Sequence, residues 1–156
     1  MSAQALLGAA REKGIRLAVA ESCTGGLVAA AITRPAGASN IFDRGFVTYS
    51  NEAKTESLGV DARLIAVHGA VSREIALAMA GGALAHARAQ LAVAVTGIAG
   101  PGGGSAGKPV GTVWLATARE GTPAQAELLQ LHGDRTSIRE QTVQRALQRL
   151  IERASN

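Results

Sequence analysis

The stretch Leu91-Ala92-Val93-Ala94-Val95 runs directly into Thr96-Gly97-Ile98-Ala99-Gly100-Pro101-Gly102-Gly103-Gly104-Ser105. A short, uninterrupted apolar run of this kind predicts a strand buried on both faces, and the glycine-dense segment after it predicts a loop at the strand's carboxyl end. The same order of parts occurs earlier in the chain. Ile15-Arg16-Leu17-Ala18-Val19-Ala20 reads as a strand, Glu21-Ser22-Cys23-Thr24-Gly25-Gly26 as a tight polar turn, and residues 27–33 as a helix that Pro35 stops.

Other elements fall around these two units. Ala5, Leu6, Ala9 and Ala10 have helical spacing, and Gly14 is placed to end that helix. Residues 42–49 predict a second strand, 51–58 a short helix and 61–67 a further helical turn or two. Ser72 predicts the N-cap of an Ala-rich helix through about residue 87. Residues 110–118 and 124–131 predict two strands joined as a hairpin through Glu120-Gly121-Thr122-Pro123. In the last helix Val143, Ala146, Leu147, Leu150 and Ile151 form one apolar stripe, and Ser137 with Glu140 fits a capping box near its start. Alternating strands and helices with a terminal hairpin predict an α/β fold, a three-layer α/β/α sandwich on a mixed β-sheet. No repeat or polar linker divides residues 1–156, so the expectation is a single domain.

Composition narrows the class. A chain of 156 residues buries roughly 68–70% of the surface its unfolded form exposes, enough for one core. It is 47% hydrophobic and only 3% aromatic, so that core is built from Ala, Val, Leu and Ile. The apolar fraction excludes a disordered chain, and no run approaches the ~18 apolar residues of a membrane span. Apolar residues near the N-terminus have no basic segment ahead of them, so no export signal is expected. A single cysteine, Cys23, fits a reducing cytoplasm. The net charge of +4 is spread along the chain without interleaved aromatics, and neither nucleic acid nor a membrane is expected as a partner.

The two polar segments each follow a buried strand, so a shared sheet places both at its carboxyl edge, where ligands of such folds sit. Seven of the 19 glycines fall within residues 96–111. Their backbone can approach a ligand closely and present N–H groups to an anion; a flexible connector is the competing reading. The spacing matches neither a Walker loop nor a dinucleotide fingerprint. Ser22, at the handover from strand to helix, is placed as a nucleophile near helix-start amides that can hold an oxyanion. Alternatively, Ser22 or Thr24 merely caps the helix. Cys23 is a rival nucleophile or a small buried residue, and none of His68, His86 and His132 is placed as its base. Only three lysines stand beside thirteen arginines. A buried lysine can become a base and arginine cannot, so Lys54, just beyond the only tyrosine, Tyr49, is the candidate; a solvated helix residue is the alternative.

Taken together, Ala20-Glu21-Ser22-Cys23-Thr24-Gly25-Gly26, Gly45-Phe46-Val47-Thr48-Tyr49-Ser50-Asn51-Glu52-Ala53-Lys54, His68-Gly69-Ala70-Val71-Ser72, Gly97-Ile98-Ala99-Gly100-Pro101 and Lys108-Pro109-Val110-Gly111-Thr112-Val113-Trp114 resemble the CinA C-terminal domain family over nearly the whole chain. The resemblance implies a stand-alone domain without the molybdopterin-binding-like domain of longer relatives. It also implies a nicotinamide mononucleotide deamidase, a hydrolase of pyridine nucleotide recycling that needs no metal or other cofactor. The family's serine, lysine and tyrosine fall on Ser22, Lys54 and Tyr49, as nucleophile, proton carrier and orienting or relaying group. Thr24, Gly25, Thr96, Gly97 and Gly100 are carried over as substrate contacts, Thr96 standing where some relatives have serine. Gly133-Asp134-Arg135 resembles the family's turn before the last helix, which makes Arg135 a partner for the substrate phosphate or else a surface charge, and Asp134 a helix cap or a ligand. Gly102 replaces an aspartate of some relatives. The partner expected is a small-molecule nucleotide, with the chain acting as a homo-oligomer. Two other classes compete: a non-catalytic nucleotide-binding or regulatory domain, and a self-associating module whose Ala- and Gly-rich helix packs against another subunit.

Overall fold

Leucine and valine alternate with alanine along the central strands, and the alternation sorts the core into two layers. The computed structural model describes residues 2–156. The chain runs α1 (Ala3–Lys13), β1 (Leu17–Glu21), α2 (Leu27–Ile32), β2 (Phe42–Val47), α3 (Asn51–Leu58), α4 (Ala62–His68), α5 (Arg73–Ala85), β3 (Leu91–Gly97), β4 (Thr112–Arg119), β5 (Gln125–Gln130) and α6 (Arg135–Ser155). Leu17, Val19, Leu91, Val93, Val95, Val113 and Leu115 pack with Leu6 of α1, Val28 and Ile32 of α2, and Ile138, Leu147 and Leu150 of α6. On the other face Ala18, Ala20, Ala92, Ala94, Ala116 and Ala118 pack with Ile75, Ala76, Met79, Ala80 and Ala83 of α5, while Leu58 and Ile65 join from α3 and α4. The architecture is therefore the α/β/α sandwich that the sequence predicts.

Small residues on both sides let α5 lie close to the sheet, so an aliphatic core closes without large rings. A methyl group built on Gly82 of α5 falls 2.2 Å from the carbonyl oxygen of Leu58, so α3 also abuts this helix at a point where only glycine fits. Ala76, Ala80, Gly82 and Ala83 of α5 are thus used within the chain, while Gly81 and Ala85 stay exposed.

The sheet order is β2-β1-β3-β4-β5. β2, β1 and β3 are mutually parallel, whereas β3 to β4 and β4 to β5 are antiparallel, which makes the sheet mixed. Glu21, the last residue of β1, lies opposite Val47, the last of β2, and Val95 of β3, which runs on two residues further to Gly97.

Several boundaries differ from the sequence reading. β2 stops at Val47 and leaves Tyr49 beyond the strand, because the chain turns at Ser50, whose hydroxyl accepts from the Ala53 amide and starts α3. β4 begins at Thr112 rather than residue 110, since the hydroxyl and the amide of Thr112 both donate to the Pro109 carbonyl in a turn. The capping box at Ser137 and Glu140 does not start α6. Asp134 caps it instead, accepting from the Ser137 amide at 2.8 Å, so the helix begins three residues early by the equally good cap that precedes it. Asp134 is therefore a helix cap. Gly14 and Ser72 act as expected, Gly14 ending α1 with φ 64° and the Ser72 hydroxyl accepting from Ile75 at the start of α5.

Candidate active site

Three parallel strands deliver three polar residues to one edge. The Ser22 amide, immediately after β1, donates to the Val95 carbonyl at 3.1 Å, and the Thr48 amide, after β2, donates to the Glu21 carbonyl at 2.8 Å. Thr96 lies at the end of β3, where its hydroxyl donates to the Ala70 carbonyl at 2.9 Å. A cleft of about 280 Å³ opens there. Seven of the nine residues nominated from sequence line it: Ser22, Tyr49, Lys54, Thr96, Gly97, Gly100 and Arg135. A larger groove of about 720 Å³ between α1, α2 and α6 holds none of the nine.

Lys54 is the least expected side chain of the core. It sits in the first turns of α3 and is 1% exposed. Its Nζ lies 3.0 Å from Ser22 Oγ and donates to the carbonyls of Thr48 at 2.9 Å, Tyr49 at 3.3 Å and Ser50 at 3.4 Å. The turn before α3 thus wraps its own carbonyls around the amine and aims it at the serine. Among the described residues no carboxylate pairs with it. Burial therefore pushes the Lys54 pKa below the ordinary lysine value. In its neutral form the amine gives two N–H bonds to carbonyls and keeps a lone pair for the Ser22 hydroxyl.

Cys23 is buried and unpaired. Burial raises its pKa to about 11, so the thiol stays protonated at neutral pH and is a poor nucleophile. No histidine lines the cleft.

Neither Ser22 nor Thr24 caps α2: the N-cap position is Gly26, and the side chain that takes the free amides is that of Glu21. Its carboxylate, fully buried, accepts from the amides of Gly26 at 3.2 Å, Val28 at 2.8 Å and Ala29 at 3.0 Å, and from the Thr24 hydroxyl. An anion placed on the start of α2 meets the positive end of the helix dipole. This leaves the Ser22 hydroxyl free for Lys54. Glu21 gives no signal of this role in the sequence, because it precedes the helix by six residues and reaches it only around the turn. Exchange of Glu21 for glutamine turns one acceptor oxygen into a donor facing N–H groups. That change is expected to lower the stability by about 2–3 kcal/mol, read as a reduced urea midpoint at unchanged slope.

Thr24 and Gly25 do not line the cleft. Thr24 is fully buried with its hydroxyl on Glu21, and Gly25 adopts φ 58° in the turn. Tyr49 is 60% exposed, and its phenol touches neither Ser22 nor Lys54; only its backbone carbonyl reaches the amine. Its hydroxyl accepts instead from Arg135 Nη2 at 3.1 Å, while Arg135 Nη1 donates to the Gly100 carbonyl at 2.8 Å. Arg135 and Tyr49 together form the rim.

Known proteins resemble this chain over most of its length. The model of the CinA C-terminal domain matches residues 1–154. The chain is 52% identical over 144 residues to the nicotinamide-nucleotide amidohydrolase PncC of Escherichia coli K12, covering 91% of this chain and 86% of that protein. It is 53% identical over 139 residues to a CinA-like protein of Syntrophobacter fumaroxidans, covering 88% of this chain but 32% of the relative, so it spans about a third of such longer proteins. Among solved structures, the competence/damage inducible protein CihA from Agrobacterium tumefaciens superposes with a TM-score of 0.89 at 49% identity, covering 95% of this chain and 94% of that one. A CinA superfamily protein from Klebsiella pneumoniae gives 0.93 at 39% identity, covering 98% and 95%. The chain belongs to the CinA C-terminal domain family.

Proposed function

We propose that the protein is a nicotinamide-nucleotide amidohydrolase, converting nicotinamide mononucleotide and water to nicotinic acid mononucleotide and ammonia with Ser22 as nucleophile and Lys54 as base. The observation that carries the reading is the 3.0 Å contact between Lys54 Nζ and Ser22 Oγ at the floor of the cleft, in a chain 52% identical to a named amidohydrolase. Ser22 Oγ attacks the carboxamide carbon as its proton passes to Lys54 Nζ. Collapse of the tetrahedral intermediate breaks the C–N bond, and Lys54 returns the proton to the departing ammonia. Water then attacks the ester, again with Lys54 taking a proton, and release of the acid restores the Ser22 hydroxyl.

Donors for the oxyanion come from a short list. Within residues 23–29 the amides of Gly25, Gly26, Leu27, Val28 and Ala29 already have acceptors, and Thr24 is fully buried. Among these the Cys23 amide remains, and Ala99, Gly100, Gly102 and Gly103 line the same cleft as further candidate donors. The Ser22 carbonyl accepts from Gly25 at 3.1 Å, and in a trans peptide the Cys23 N–H points the opposite way from that carbonyl. Tyr49 contributes through its carbonyl on Lys54 and through its phenol beside Arg135, rather than by relaying a proton directly.

Arg135 is the substrate's phosphate partner in this reading, with a planar fork that can exchange Tyr49 and Gly100 for an anion. Ammonia release from the mononucleotide, beside the riboside and free nicotinamide, tests both the activity and this contact. The riboside is expected to lose about 10–100-fold in kcat/KM, and Arg135→Ala is expected to remove most of that difference. A ratio unchanged by the substitution would place the phosphate elsewhere. Binding without turnover would favour the non-catalytic nucleotide-binding reading.

The reading places the enzyme in the cytoplasm, supported by a lone buried thiol without a disulfide partner. No helix among the described residues is long and apolar enough to cross a membrane. Self-association is supported by the open edge of the sheet at β2, where Val47 is more than half exposed. Light scattering that gives a monomer at micromolar concentration would count against a homo-oligomer.

A further inference from the structure

The turn that carries Ser22 is held by a residue from the far end of the chain. Arg139, in the second turn of α6, donates from Nε to the Cys23 carbonyl and from Nη2 to the Thr24 carbonyl, each at 3.1 Å. These are the two carbonyls that follow the nucleophile. The turn leaves a gap for the guanidinium, because a methyl group built on Gly25 would lie 3.3 Å from Arg139 Nη2, tighter than an ordinary contact. Arg139 is also one helical turn beyond Arg135, whose fork holds the Gly100 carbonyl and the Tyr49 hydroxyl. One helix face therefore grips both walls of the cleft.

We infer that Arg139 is a positioning residue for catalysis: its two-point grip on the Cys23 and Thr24 carbonyls fixes the backbone that aims the Ser22 hydroxyl and the Cys23 amide into the cleft. The inference rests on the reading of Ser22 as nucleophile. Arg139 lies outside the cleft lining and acts through the turn. Glu21 holds the same turn from inside by the α2 amides, so the loop is clamped at its carbonyls and at its N–H groups. What matters is the planar fork, since a single ammonium can satisfy one carbonyl but cannot fix two successive peptide planes.

The test uses the full chain and separates this role from a merely structural one. Arg139→Lys and Arg139→Ala are expected to lower kcat for ammonia release on the order of 10²-fold with KM within about threefold, the cost of a small misplacement of reacting groups. Millimolar guanidinium is expected to restore part of the kcat of Arg139→Ala and to leave wild type unchanged. A second readout needs no knowledge of substrate: the rate at which Ser22 displaces fluoride from a fluorophosphonate, followed by mass spectrometry, is expected to fall in both variants by a similar factor. Should Arg139→Ala not fold, Arg139→Lys and its labelling rate decide. Wild-type kcat and labelling rate in a folded Arg139→Lys variant would overturn the inference alone. A wild-type protein that neither releases ammonia nor is labelled at Ser22 would remove the nucleophile reading and the inference with it.

Discussion

Ser22→Ala is expected to lower ammonia release from nicotinamide mononucleotide by about 10⁴-fold or more, with the fold intact. The residue is small and 8% exposed, and the side-chain partner of its hydroxyl is Lys54. Its removal therefore deletes the attacking atom and one hydrogen bond, at a stability cost of about 1 kcal/mol. A nucleophile that forms a covalent intermediate cannot be replaced by its neighbours, so the loss is of the size seen when one member of a serine hydrolase's catalytic unit is removed. Cys23 does not rescue the variant, because burial holds its thiol protonated with a pKa of about 11. Wild-type turnover by folded Ser22→Ala protein would dismiss the nucleophile.

Lys54→Met is expected to reduce kcat as severely, and here pH supplies a second reading. Methionine keeps the length of the stem but has no base. In wild type the base works only when neutral, and burial sets its pKa below the ordinary lysine value of 10.5. The kcat of wild type should thus rise with pH through an apparent pKa below 10.5 and reach a plateau above it, whereas the residual rate of Lys54→Met should lack that step. Stability follows the same group. Between the depressed folded pKa and 10.5 the unfolded chain binds more protons than the folded one, so Lys54's contribution to stability rises with pH across that window and is lowest below it. Urea titrations at several pH values are expected to show this rise in wild type, diminished in Lys54→Met. A flat kcat profile together with an active Lys54→Met variant would exclude lysine as the base.

Legibility in the sequence divides along physical lines. Strands β1 and β3 were readable because burial on both faces forces a continuous apolar run, and Lys54 because lysine is scarce and its segment follows a strand. Sheet order was not, since parallel pairing joins Leu17 to Leu91 and Phe42 through contacts that no local pattern records. Which side chain takes the free amides of α2 was obscured by proximity. Ser22 and Thr24 stand nearer the helix than Glu21, yet the longer carboxylate folds back and takes three amides that a hydroxyl could not serve together. For Tyr49 the residue was legible and its function was not: position relative to Lys54 suggested the phenol, while the structure uses the carbonyl on the amine and turns the ring to Arg135. Arg139 gave no signal at all, because its charge lies off the apolar stripe of α6 like any solvated arginine's, and only the packing of the helix end over the Ser22 turn reveals its partners.

The central claim is that the amide is cleaved through an ester on Ser22. Wild-type protein mixed with excess nicotinamide mononucleotide, quenched in acid within milliseconds and digested for mass spectrometry, tests it most directly. The account predicts a nicotinic acid mononucleotide acyl group on the peptide that contains Ser22, carried by the serine and absent from Ser22→Ala. An acyl group on Cys23 or on any other residue, or product formation by Ser22→Ala at the wild-type rate, would contradict it.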